Sequence, residues 1–159
     1  MSGDREGAGG AGGPLSADQL TADSPFTLPG FFDELAEGRL VAARCTDCGT
    51  HLLPPRPACY DCGSRAVELA EQPRTGHVVS YTAAYRPPPA FADLAPVTLA
   101  VVELDSGARL TGRVDADLSA VEVDSPVELR VRDPGELGVD PEAFLSYEAD
   151  WPLHEFVLR

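Results

Sequence analysis

The sequence predicts a mostly β protein in which a short N-terminal helix and a cysteine ribbon held by a metal precede a small β-barrel. Three observations carry this expectation: two C-x2-C-G knuckles, a series of β-branched runs from Gly76 onward, and one helical apolar pattern around Phe31. With 159 residues the chain has room for about one to one and a half domains and one modest core.

The first 25 residues are rich in Gly, Ala, Ser and Asp and have no apolar period, so residues 1–25 are expected to form a disordered leader. Next, Pro29-Gly30-Phe31-Phe32-Asp33-Glu34-Leu35-Ala36-Glu37-Gly38 sets Phe31 or Phe32 and Leu35 at helical spacing, with Gly38 where a helix ends. Residues 26–70 are read as this helix plus the cysteine ribbon, which is too short for a core of its own. Residues 71–133 are read as the barrel. Its strand signals are His77–Tyr85, Val97–Leu104, Ala108–Val114 and Val127–Arg132, with Asp105-Ser106-Gly107 as a tight hairpin. A strand, a long loop, a hairpin and a longer connection suit an OB-type barrel, with a sandwich as the alternative. Residues 134–159, which include Phe144, Tyr147, Trp151 and Phe156, are expected to supply a last strand or an arm that completes the barrel or meets a partner.

Charge narrows the functional classes. Asp and Glu number 26 against 12 basic residues, giving a net charge of −14; every basic residue is Arg, and Lys, Ile and Asn are absent. Those three types share AT-rich codons, so a GC-rich genome is expected, and the acidic surplus suggests a salt-loving host. Non-specific nucleic-acid binding is disfavoured, because its affinity comes from cations that neutralise phosphates. No apolar run is long enough to span a membrane, and the start MSGDREGAGGAGG lacks the apolar core of a signal peptide. A cytoplasmic protein is therefore expected, and in that reducing compartment four cysteines read as metal ligands before disulfides.

Cys45-Thr46-Asp47-Cys48-Gly49 and Cys59-Tyr60-Asp61-Cys62-Gly63 are separated by ten residues. Two residues between sulfurs let a tight turn present both to one ion, and the glycines let amide groups curl toward the thiolates. Four sulfurs close a tetrahedron with no open position, so a structural zinc is expected; iron suits the same donors. Four thiolates around a divalent ion leave a charge near −2, and Arg44, Arg56 and Arg65 are close enough in sequence to offset it. His51 reads as a surface residue, and His77 and His154 as satisfied structure. No P-loop or G-x-S-x-G motif occurs, and the glycines of the Gly-rich leader have no following strand or helix start. Tyr81 and Tyr85 share one face of their strand with Val79 and Ala83, which predicts core or interface.

The ordered series of Phe31-Phe32, Leu35, Gly38-Arg39-Leu40, Arg44-Cys45-x2-Cys48-Gly49, Pro54-Pro55-Arg56, Cys59-x2-Cys62-Gly63-Ser64, Thr75–Thr82 and Ala100–Leu104 closely resembles the DUF35 family. The resemblance runs from about Phe26 to Asp133; Tyr60 stands where many members have Pro. It implies a rubredoxin-like zinc ribbon followed by an OB-fold barrel. It also implies an accessory, non-catalytic subunit of a thiolase-superfamily acyl-CoA enzyme, which stabilises the catalytic subunit and helps form the CoA entrance. The nearest kind is the small subunit of a two-component haloarchaeal β-ketothiolase (acetyl-CoA acetyltransferase). Hydroxymethylglutaryl-CoA synthases, aldolases and MaoC-type hydratases are the other partners it implies. A free-standing module binding single-stranded nucleic acid is the competing class, and the acidic charge opposes it.

Under the resemblance, a CoA thioester at a site shared with the partner would meet Arg56 and Arg86, whose guanidinium forks suit phosphates. The eleven-residue link Arg86–Pro96, stiffened by three consecutive prolines, is expected to face a partner or line the substrate entrance through Phe91 and Leu94. Its alternative is a plain barrel cover, in which case the aromatic tail around Trp151 becomes the contact.

Overall fold

In the computed structural model, residue 21, residues 24–139 and residues 151–159 are described. All but the end of the expected leader lies outside them, as do Phe144 and Tyr147.

Helix α1, Leu28–Ala36, starts where Thr27 caps it: the Gly30 amide donates to Thr27 Oγ1 at 3.3 Å, and Pro29 fits the first turn, where its missing N–H costs nothing. Ser24, which falls inside the expected leader, is buried, and its carbonyl accepts from the Thr27 amide and hydroxyl. Gly38 ends the helix at φ +81°.

Three strands form the ribbon sheet in the order β2-β1-β3: β1 is Val41–Cys45, β2 is His51–Leu52 and β3 is Val67–Glu71. Both pairings are antiparallel, with Ala43 opposite Leu52 and Cys45 opposite Val67. Its private core consists of Ala43, Cys45, Leu52, Cys59 and Val67, with Phe26 packed against it. That is too little apolar area to hold a separate fold, as the sequence indicated.

The remaining strands are β4 (Thr75–Ala84), β5 (Val97–Leu104), β6 (Arg109–Val114), β7 (Pro126–Arg132) and β8 (Leu153–Leu158). They close a barrel in the order β4-β5-β6-β8-β7, with β7 returning to β4. All neighbours are antiparallel except β6 and β8, which run parallel. This is OB topology, and it removes the sandwich alternative. β8 comes from the C-terminal segment and slots between β6 and β7, where Phe156 fills the core.

The main core joins barrel and helix: Phe31, Leu35 and Leu40 cluster with Val78, Val102, Leu104, Val127, Leu129 and Phe156. The apolar stripe of α1 is thus spent on the barrel. A polar strut adds a second tie to the ribbon. The buried Gln72 donates to His51 Nδ1 at 3.1 Å, and its carbonyl oxygen accepts from the Ser106 hydroxyl at 2.5 Å.

Candidate metal centre

Cys45 ends β1, Cys48 follows in the turn toward β2, and Cys59 and Cys62 lie in the loop between β2 and β3. Each knuckle is closed by the same pair of backbone bonds. Gly49 donates to the Cys45 carbonyl at 2.9 Å and Cys45 to that of Thr50 at 2.9 Å; Gly63 donates to the Cys59 carbonyl at 3.0 Å and Cys59 to that of Ser64 at 2.8 Å. Gly49 and Gly63 take φ of +79° and +75°, a conformation that a Cβ disfavours, which is why each second cysteine is followed by glycine.

The knuckles face each other, and the four sulfurs lie within 4.8 Å of one another. Cys45 Sγ is 3.6 Å from Cys62 Sγ, and Cys48 Sγ is 3.6 Å from Cys59 Sγ. A disulfide needs about 2.05 Å, and all four residues are free cysteines. A regular tetrahedron with metal–sulfur bonds of about 2.3 Å has sulfur–sulfur edges of about 3.8 Å. The donor set and its spacing therefore fit a zinc ion held by protein alone. A closed shell of four thiolates has a structural role.

The surroundings favour thiolates unevenly. The Thr50 side chain, with its hydroxyl 3.1 Å from Cys48 Sγ, and the Thr50 backbone hold the Cys48 thiol down to about 6. For Cys62, the Ser64 backbone lowers the value, and the adjoining Cys45 and Cys48 sulfurs outweigh it, pushing the thiol up to about 12. Four thiols crowded on one point cannot all ionise unaided, and a divalent cation removes the conflict. The Asp61 amide points at Cys59 Sγ at 3.4 Å. Of the arginines expected to offset the thiolates, Arg44 is paired with Glu68 at 2.9 Å, and Arg56 lies over the Tyr60 ring, 5.9 Å from its centroid. Arg65 is exposed.

The remaining sequence-derived residues are dispersed. Arg56 sits in the ribbon and Arg86 just beyond β4, both exposed. Phe91 and Leu94 lie on a 3-10 helix, Pro89–Leu94, and are half-buried, with Ala90 buried beneath them. The long link therefore holds a folded turn of helix with one buried residue. Trp151 stacks on Phe32 of α1, with centroids 4.2 Å apart. Tyr81 and Tyr85 depart from the core expectation: they are 40% and 73% exposed. A bulge at Val79 shifts the register of β4 against β5, and among the described residues no strand pairs along the other edge of the stretch that follows it.

Two features escaped the sequence reading. His51 is part of the strut with Gln72, although a lone histidine beside a knuckle gives no sign of it. Glu155 of β8 is fully buried between arginines: it is paired with Arg113, and Arg132 Nε lies 3.1 Å from Oε1 without hydrogen-bond geometry. Asp115 joins Arg113 to Arg130, at 3.3 and 3.5 Å.

Two family models cover most of this architecture. One, described as the rubredoxin-like zinc ribbon domain of ChsH2, matches residues 32–68; the other, the C-terminal OB-fold domain of ChsH2, matches residues 69–132. A DUF35 domain-containing scaffold protein of Methanothermobacter thermautotrophicus is 35% identical over 105 residues, which are 63% of this chain and 79% of that protein. The chain belongs to the DUF35 family. The scaffold protein of the same description from Methanocaldococcus jannaschii is 35% identical over 106 residues, 63% of this chain and 74% of that one. Among solved DUF35 structures, a chain of the Ltp2-ChsH2(DUF35) aldolase superposes with a TM-score of 0.62 at 33% identity, covering 82% of this chain and 92% of that chain. A DUF35 protein of unknown function from Sulfolobus solfataricus has a TM-score of 0.52 at 16% identity, covering 82% and 84%, and shows the fold alone. Among the described residues no helix is long and apolar enough to cross a membrane.

Proposed function

We propose that this chain is a non-catalytic scaffold subunit, stabilised by one zinc on Cys45, Cys48, Cys59 and Cys62, of a cytoplasmic thiolase-superfamily enzyme acting on acyl-CoA. The observation that carries the reading is its likeness to the DUF35 chain of an aldolase complex at 33% identity over 92% of that chain's length. The commitment of all four cysteines to one cluster agrees with it, since no thiol is left to act as a nucleophile. The same likeness favours an aldolase of the Ltp2 kind as partner beside the β-ketothiolase expected from the sequence. The net charge of −14 speaks against the nucleic-acid alternative.

The segment Arg86–Pro96, with Phe91 and Leu94, is the proposed partner contact. Arg86 and Arg56 are the proposed contacts for CoA phosphates at the shared entrance, with Arg86 the better placed because Arg56 is engaged with Tyr60. Purification of the tagged chain from its host, with peptide identification of what accompanies it, tests the reading. An acyl-CoA enzyme in stoichiometric amount is expected, and replacing Phe91 and Leu94 with Ser should deplete it at unchanged zinc content. Recovery of the chain alone, or with nucleic acid, would overturn the scaffold reading.

A further inference from the structure

β4 is longer than the barrel needs. Thr75–His77 pair with β7, and Val78 still has partners on that side: its amide donates to Ser125 O at 3.0 Å, and its carbonyl accepts from the Asp124 amide at 2.8 Å. Beyond the Val79 bulge the ladder to β5 continues regularly, from Ser80 opposite Val101 to Ala84 opposite Val97. Along the other edge of this stretch no strand pairs among the described residues. Ser80, Tyr81 and Thr82 are exposed in succession. A strand with one covered face alternates between buried and exposed, so here both faces and one edge are open.

Open edges are normally blunted by charge, proline, a bulge within the free stretch, or a covering segment. This one lacks the first three. Thr75–Tyr85 contains no Asp, Glu or Arg, whereas β5, β6, β7 and β8 each carry at least one; there is no proline, and the bulge lies at the foot of the free stretch. An uncharged, aromatic, hydroxyl-rich edge on a chain of charge −14 is a local exception that solubility alone opposes.

We propose that Ser80–Ala84 is a strand-addition site, taking up an extended, uncharged segment of the catalytic partner as a further strand beside β4, with Tyr81 and Tyr85 as aromatic anchors. This deepens the scaffold reading and rests on it. Main-chain hydrogen bonds supply affinity in this mode and alternate side chains supply register. The partner fits better than a second copy, because a copy brings another −14 against an edge that holds no cation to offset it.

Hydrogen exchange followed by mass spectrometry, on the full chain alone and on the complex purified with its identified catalytic subunit, tests the site. Peptides spanning residues 79–85 should exchange at least tenfold more slowly in the complex. Tyr81→Lys and Thr82→Lys, both at exposed positions, should weaken the complex at least tenfold while melting temperature and zinc content stay as in the parent chain. A complex with unchanged exchange in these peptides, or variants that bind as the parent does, would overturn the strand-addition site and leave the scaffold reading standing. Protection that grows with the concentration of the isolated chain would assign the edge to self-pairing and overturn the proposal. Absence of any catalytic subunit would remove the scaffold reading and this site together.

Discussion

Cys48→Ser takes one corner from the sulfur tetrahedron, and the ribbon has only five small-to-medium buried side chains to fall back on. Structural zinc contributes about 10 kcal/mol or more in small zinc-folded peptides. Metal analysis should therefore drop from one zinc per chain to near zero, and the ribbon's amide signals should collapse before those of the barrel. Glu155 poses the opposite problem, a buried carboxylate held by Arg113 and Arg132. Glu155→Ala strands both guanidinium groups; because these are partly exposed, we expect a loss of about 2–3 kcal/mol in chemical denaturation, below the full cost of breaking a wholly buried pair. His154 adds a pH dependence. Burial lowers its pKa below 6.5, partly countered by the Thr111 carbonyl 2.8 Å from Nε2. With the folded value below the unfolded one, the unfolded chain binds the proton first, so this contribution is full above about pH 6.5 and is lost as pH falls toward the folded value. His154→Gln should flatten the melting temperature against pH in that window. The four ligands were legible in the sequence because their spacing is local. The partners of Glu155 were not: Arg113 lies 42 positions away and is brought beside it only by the parallel β6–β8 pairing.

At the scale of elements, α1 and the barrel strands up to β7 could be read because apolar periodicity and turn residues mark them. What each element packs against was less visible. Placing α1 with the ribbon followed chain order, yet Phe31 and Leu35 belong to the barrel core. The bulge at Val79 was equally hidden, since Val78-Val79 reads as one unbroken β-branched run; it brings Tyr81 opposite Ala100 of β5, and the ring is still 40% exposed. Close approach of β4 to β5 gives the test of this register. A Cβ at Gly76 would lie 2.3 Å from the Glu103 carbonyl oxygen and 2.8 Å from Leu104 Cα, both backbone atoms that cannot swing aside. Gly76→Ala should destabilise the barrel by about 1–3 kcal/mol, as overpacking does. A melting temperature unchanged within error would mean that the two strands meet in a different register.

For the whole molecule, a −14 chain with a zinc-ribbon arrangement and a closed barrel presents a frame and no assembled nucleophile–base pair among its described residues. Its fold class was legible in the sequence because knuckle spacing and strand alternation are local properties of a single chain. The identity of the partner was not, because recognition lies on surfaces made by chain segments far apart in sequence, and a fold of this kind serves many functions. The most direct test compares the isolated chain, shown by mass spectrometry to be free of partner, with the complex re-formed from the chain and its catalytic subunit, assaying both for acyl-CoA thiolysis and retro-aldol cleavage. The chain alone should give no turnover and the complex should be active, with activity lost when the chain is left out and restored when it is returned. Turnover by the isolated chain, or a catalytic subunit equally active and stable without it, would contradict the scaffold account.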